Sequence, residues 1–315
     1  MRRWVSSPTT RCKLSSAALL AAASICLAGC ASASEPAPEL LIRTDDIGVN
    51  HAVNTALREF IRTGIPFSAS VMVPCPWFTE AAKTLRDSPH VSVGIHLTLN
   101  SEWADYRWGP VLGPSAVPSL VDANGYFFHT GAELLANGME PEEAKAELRA
   151  QIRRALNAGL DVDYLDYHML TPVSTPELRT VVEELATEFG VGLSRYFGEP
   201  SVSLWDVEPD RKLVTLLNAV NRARPGLATL VVVHLGLETA EMNALVDANN
   251  PADPYRVAKH RAAELAALTS PAFLRAAAER NIRFVTYEDL AERYGLENMR
   301  SPAEFAYSLG DESSD

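Results

Sequence analysis

The stretch Leu40-Leu41-Ile42-Arg43-Thr44-Asp45-Asp46-Ile47-Gly48-Val49-Asn50 decides how the rest of the chain is read. Leu40–Thr44 is dominated by branched apolar side chains and predicts a buried strand. Two adjacent acids and a glycine end it. A helical pattern, with apolar residues three and four apart, then runs from Asn50 to Thr63. The same unit recurs outward along the chain. Strands are predicted at Phe67–Val73, Val91–Leu97, Tyr164–His168, Gly190–Tyr196, Thr229–His234 and Ile282–Tyr287. Helices are predicted at Trp77–Arg86, Glu140–Ala158, Pro176–Glu188, Pro209–Arg222, Tyr255–Arg280 and Glu288–Tyr294. Alternating strands and helices imply parallel strands joined by right-handed crossovers. About seven such strands in one domain, residues 40–296, predict an α/β fold, a distorted (β/α) barrel. A doubly wound open sheet is the alternative, but no Gly-rich loop follows the first strand, which argues against a nucleotide cofactor.

The chain has 315 residues and is 47% hydrophobic, enough to bury a core, so disorder as the main state is excluded. With 28 Lys+Arg against 40 Asp+Glu, its charge of −12 repels phosphate backbones, which excludes general nucleic-acid binding. The N-terminus reads as an address. Arg2, Arg3, Arg11 and Lys13 precede an apolar run from Leu14 to Leu27, too short to span a bilayer comfortably. The run ends in Leu27-Ala28-Gly29-Cys30, which resembles a bacterial lipobox. Residues 1–29 are therefore expected to be a lipoprotein signal peptide, and Cys30 the lipidated first residue of an exported protein. The lipid would anchor it to a bacterial membrane, the outer membrane or cell surface. Cleavage would remove four of the 28 basic residues and no acid, taking the charge from −12 to −16. It would also remove Cys12 and Cys26, leaving Cys75 as the one thiol beside Cys30; neither an intramolecular disulfide nor a thiolate-rich metal site is then available. Residues 30–39 read as a flexible tether and 297–315 as an acidic flexible tail.

Barrel enzymes carry their chemistry at the carboxyl ends of the strands. Here the first strand ends in Asp45-Asp46, the third in His96, the fourth in Asp166 and His168, and the sixth in His234. Carboxylate with imidazole is a ligand set for a divalent first-row metal. One Asp and two His leave positions open for water and substrate, while a second carboxylate is available as general base and a further His as proton donor. Asp45 has a plainer alternative, the N-cap of the following helix. Asp166 is expected to support a metal-bound His. Arg195, at the end of the fifth strand, either pairs with a site carboxylate or is a surface charge. His90 and His260 are expected at the surface, and His51 in a cap or solvent contact. The interval Asn100–Gly138 is too long for an ordinary connection. It holds Trp103, Tyr106, Trp108, Tyr126, Phe127 and Phe128, and His129, a weaker candidate to approach substrate. These aromatics predict a capping subdomain with its own small core, a stacking platform for sugar faces, or both.

The blocks TDDIGVNHAVN, SASVMVP, VGIHLTL, YLDYHM and VVVHLG, in this order and spacing, resemble the YdjC-like carbohydrate deacetylases. The resemblance spans roughly residues 40–290. It implies a distorted seven-stranded barrel, a saccharide substrate and hydrolysis of its N-acetyl group with one divalent metal ion, Mg2+ or Zn2+. It further implies Asp46, His96 and His168 as metal ligands, Asp45 as general base and His234 as general acid or electrostatic stabiliser. Three blocks depart from the family's usual pattern: Asp45-Asp46-Ile47-Gly48 for Asp-Asp-Phe-Gly, Asp166-Tyr167-His168-Met169-Leu170 for a His-rich run, and His234-Leu235-Gly236 for His-Pro-Gly. The ligand positions survive, but Tyr167, Met169 and Leu170 would line the mouth differently. Trp103, Tyr106, Trp108, Tyr167 and Arg195 are the candidate substrate contacts. Another metal-dependent amide or ester hydrolase, or an inactive surface sugar-binding lipoprotein, are the competing functions.

Overall fold

The computed structural model describes residues 36–302. The expected signal peptide, Cys30, most of the tether and the tail beyond residue 302 lie outside the described residues.

Eight strands are found among the described residues: β1 (Glu39–Ile47), β2 (Phe67–Val71), β3 (Val91–Leu97), β4 (Tyr164–Tyr167), β5 (Gly192–Leu193), β6 (Ser201–Ser203), β7 (Ala228–His234) and β8 (Arg283–Val285). All pair in parallel in one sheet, in the order β5-β4-β3-β2-β1-β7-β6, with β8 against the first residues of β1. The helices are α1 (His51–Ile61), α2 (Phe78–Arg86), α3 (Gly131–Ala136), α4 (Pro141–Asn157), α5 (Pro176–Phe189), α6 (Lys212–Arg222), α7 (Ala240–Asn243), α8 (Val257–Leu268), α9 (Pro271–Glu279) and α10 (Tyr287–Tyr294). The strand path ends at β5 and β6, yet Arg43 of β1 donates to Ser194 Oγ, just past β5, at 2.6 Å. The sheet therefore curls around an interior without closing, the distorted barrel expected.

The two-residue period of β1 explains both of its faces. Leu40 and Ile42 join the large core between sheet and helices. Leu41 faces a smaller interior cluster with Tyr164, Leu230, Val232, Val285 and Tyr287. Arg43 and Asp45 continue the Leu41 face towards the carboxyl ends of the strands. An apolar plug thus lies under a polar upper layer.

Four details depart from expectation. β6 was not predicted, because Ser201-Val202-Ser203 has no apolar run. The helix predicted over Tyr255–Arg280 is two, α8 and α9; Ser270 caps α9 by accepting from Phe273 N, and Pro271 opens it, since proline cannot continue the preceding turn. The insertion has no core of its own: Trp103, Trp108, Val117, Leu120, Phe127 and Leu134 pack into the main core. Both ends of the folded unit reach further than expected. Glu39 is a buried residue of β1, held by Arg293 at 2.7 and 3.0 Å, and Arg300 N donates to Tyr196 O at 2.9 Å.

Candidate metal centre and active site

Adjacent residues on a regular strand point to opposite faces. Asp45 and Asp46 nevertheless reach one site, because β1 breaks step. Its register with β2 shifts between Thr44 and Ile47, and Asp46 itself adopts a left-handed φ of 62°. A bulge that re-aims a side chain beside a site is a recurring device, and Asp tolerates this conformation better than most residues. The helix cap is supplied elsewhere: Asn50 Oδ1 accepts from Val53 N at 2.9 Å. Asp45 is therefore not a cap.

Asp46, His96 and His168 converge, all three buried. His96 Nε2 and His168 Nδ1 each lie 3.2 Å from Asp46 Oδ1, an oxygen that completes no hydrogen bond. Donors about 2.0–2.2 Å from a common ion, at tetrahedral to octahedral angles, are roughly 3.0–3.5 Å apart. The orphaned oxygen, the spacing and the carboxylate–imidazole donor set all fit one divalent cation. The far side of each ligand is fixed. His96 Nδ1 meets Asp166 Oδ2 at 2.8 Å, His168 Nε2 meets Glu102 Oε2 at 2.8 Å, and Arg261 Nη2 donates to Asp46 Oδ2 at 2.5 Å. Such outer partners set the tautomer and aim of metal-binding histidines. Burial by itself would lower both imidazoles. For His96, Asp45 and Asp166 outweigh it and raise the pKa to about 9; for His168, Glu102 and Asp46 raise it to about 10. Burial would raise Asp46, but Arg261 and the two imidazoles hold it well below the carboxylate range. The pocket concentrates negative charge that cations, whether protons or a metal ion, must balance.

Arg43, fully buried, is shared by two acids. Its Nε and Nη2 grip Asp45 at 2.7 and 2.6 Å, and its Nη1 lies 2.7 Å from Asp166 Oδ1. The environments separate the pair. Burial, reinforced by the negative charge of Asp166, raises Asp45 although Arg43 opposes it. At Asp166, Arg43 and His96 overcome burial and hold the carboxyl below its ordinary range. One acid with raised proton affinity and one that stays ionised is the division expected of a base and its support.

A cavity of about 420 Å³ opens over these groups, lined among others by Asp45, Asp46, His96, Trp103, Tyr167, His168, Trp205, His234 and Arg261. His234 is the register partner of Asp45 across the β1–β7 ladder. Its ring packs 5.0 Å from that of Trp205. Of the expected substrate contacts, Trp103 and Tyr167 line the cavity; Tyr106, Trp108 and Arg195 do not. Tyr106 spends its hydroxyl on Val49 O at 2.6 Å, and Trp108, buried, donates to Asn100 O at 2.9 Å and stands edge-on to His168. Arg195 holds a loop turn at a φ of 70°, its backbone N–H donating to Glu199. His260 is buried, against expectation, with Nδ1 3.0 Å from Trp205 O. His129 stays off the cavity wall and meets Arg107 at 3.1 Å. His90 is exposed, and His51 is exposed and paired with Glu80.

Sequence reading missed Arg43, Glu102, Trp205 and Arg261. Arg43 had a readable signal: a charge inside an otherwise apolar strand, two residues before Asp45 and so on the same face. Glu102, Trp205 and Arg261 come from a loop, a loop and a helix, and only the fold brings them to the rim.

Residues 39–279 match the family profile described as YdjC-like protein. The chain is similar to a carbohydrate deacetylase of Geobacillus stearothermophilus, 28% identical over 263 residues, covering 79% of this chain and 96% of that protein. It is 35% identical over 153 residues to a carbohydrate deacetylase of Brevibacillus brevis, covering 49% of this chain and 57% of that one. Among solved structures, an Enterococcus faecalis protein described as a cellobiose-phosphate cleavage protein superposes with a TM-score of 0.66 at 23% identity, over 81% of this chain and 99% of that one, a likeness of fold. With the profile running from β1 through α9, the chain belongs to the YdjC-like protein family.

Proposed function

We propose that this protein is a metal-dependent hydrolase that removes acetyl groups from N-acetylated saccharides, held at a bacterial membrane by a lipid on Cys30. The observation that carries the reading is the Asp46–His96–His168 face, with its orphaned carboxylate oxygen, flanked by Asp45 and His234 on adjacent strands. The names of the two deacetylase relatives support the substrate class. A divalent ion such as Mg2+ or Zn2+, held by Asp46, His96 and His168, would supply Lewis-acid polarisation of the acetyl carbonyl and acidify water. Asp45 takes a proton from the attacking water as its oxygen bonds to the carbonyl carbon. Arg43 keeps the Asp45 carboxylate aimed. His234 gives a proton to the amide nitrogen as the C–N bond breaks, so acetate and a free amine leave. Trp103 and Trp205 line the cavity that would receive the sugar. The test is release of acetate from N-acetylated oligosaccharides by the full chain, with and without chelator. Chelator-sensitive release is expected; no release from any such substrate in the presence of added divalent metal would sink the reading.

A further inference from the structure

Behind His234 lies an ion pair that the proposed reaction has not used. Lys212 Nζ of α6 meets Glu264 Oε1 of α8 at 2.6 Å, and neither side chain is exposed to solvent. Lys212 also donates to Leu204 O at 2.8 Å. Burying such a pair costs desolvation of two charges and is weak evidence for stability, so its placement asks for another reason. Its aim supplies one. The other oxygen, Glu264 Oε2, accepts from the backbone N–H of His234 and lies 3.8 Å from His234 Nδ1, a buried nitrogen with no hydrogen-bond partner. The His234 ring is packed against Trp205, and Trp205 in turn lies under the guanidinium groups of Arg256 and Arg261.

We infer that Glu264, fixed by Lys212, is the positioning residue for His234: it directs Nδ1 to the barrel wall, leaves Nε2 for the substrate and stabilises the imidazolium that donates the proton. This rests on the deacetylase reading for the identity of the acceptor, the leaving nitrogen, but not for the dyad itself. A ring movement of about 1 Å turns the 3.8 Å approach into a hydrogen bond. Charged and titratable groups surround His234: Asp46, His96, Glu102, His168 and Asp247 line the same cavity. Asp45 stands opposite on β1, Asp206 lines the cavity beyond β6, Glu264 and Arg261 come from α8, Arg256 precedes α8, and Lys212 sits behind Glu264.

The two charges predict shifts of opposite sign, which a merely structural role does not. In ring-proton titrations of the full-length protein, Glu264→Gln should lower the His234 midpoint by about one unit or more, the usual size for losing an adjacent opposite charge. Lys212→Met should raise it, and Glu264→Asp should keep it near the native value. The basic limb of kcat/KM on an N-acetylated oligosaccharide should move with the midpoint in each variant, with kcat falling and KM holding in Glu264→Gln. An unchanged midpoint in folded Glu264→Gln overturns the inference. If that variant does not fold, an unchanged midpoint in Lys212→Met overturns it instead. Shifted midpoints without any deacetylation would leave the dyad standing and remove the deacetylase reading.

Discussion

At the scale of single residues, Asp45 and Asp46 share a dipeptide and differ in everything else. Asp46 offers an unpartnered oxygen to two imidazoles and gives the other to Arg261. Both oxygens of Asp45 are gripped by Arg43, and burial raises its proton affinity. If one is the base and the other the ligand, Asp45→Asn should keep the metal and lose turnover. The amide is nearly isosteric but takes no proton, and losing a general base costs roughly 100- to 10,000-fold. Asp46→Asn, His96→Ala and His168→Ala should each lose metal and turnover together while remaining folded. Metal analysis beside acetate release checks this; Asp45→Asn without metal and Asp46→Asn with it would reverse the roles. Near-native turnover in Asp45→Asn would move the search for the base to Asp166. Glu102 belongs to the same argument. Glu102→Gln leaves His168 Nε2 without its carboxylate and should weaken metal binding by roughly 10- to 100-fold, measured by titration against a chelating dye.

At the scale of elements, what was legible followed from periodicity. β1, β3 and β7 carry buried apolar residues on both faces because both faces are covered, and each presents at or near its carboxyl end the polar residues of the candidate site. The Asp46, His96, His168 and His234 positions were readable because strand ends of a parallel sheet share one rim. β6 was not, since a three-residue strand carries no period. Nor was the long insertion. Its aromatics read as a platform, yet only Trp103 faces the cavity, while Tyr106 and Trp108 pack behind it at 5.8 and 5.6 Å. Composition reports that rings are present and not which way they turn. One glycine marks where element packing is tightest. Gly94 of β3 pairs with Tyr164 of β4, and a Cβ there would fall 2.2 Å from the Tyr164 ring. That ring cannot retreat easily: its hydroxyl is 2.8 Å from Ser70 Oγ, and Tyr287 lies 4.3 Å away. Gly94→Ala should therefore cost about 3 kcal/mol, the upper end for overpacking, in urea unfolding. A variant within 0.5 kcal/mol of native, a margin typical of surface changes, would mean that the interior plug is looser than described.

At the scale of the whole molecule, two expectations concern where the protein sits and how its excess of acid is tolerated. No helix among the described residues is long and apolar enough to cross a membrane. From the Leu27-Ala28-Gly29-Cys30 series we propose that attachment rests on a lipid at Cys30, and Cys30→Ser should release the protein from membranes or block its processing; unchanged partitioning and size would contradict that. The acid excess has a local counterpart in Asp163, just before β4. Its Oδ2 accepts from Val93 N at 2.9 Å, but burial, with Glu288 and Asp161 nearby, raises it from 3.8 to about 6. An acid with a raised folded pKa binds a proton in the folded state that the unfolded chain has already released. Its contribution to stability is full below 3.8 and is lost as pH rises from 3.8 through about 6, after which it is constant. Asp163→Asn keeps an acceptor for Val93 N and removes the titration. The buried imidazoles and carboxylates of the site also titrate, but they do so in both proteins and cancel in the difference. The variant should therefore gain stability relative to the native protein between about pH 4 and pH 7, and the gain should level off above pH 7. Denaturant unfolding of both proteins across that range measures it. A difference independent of pH would show that Asp163 titrates at its ordinary value, and that this edge of the barrel is open to water.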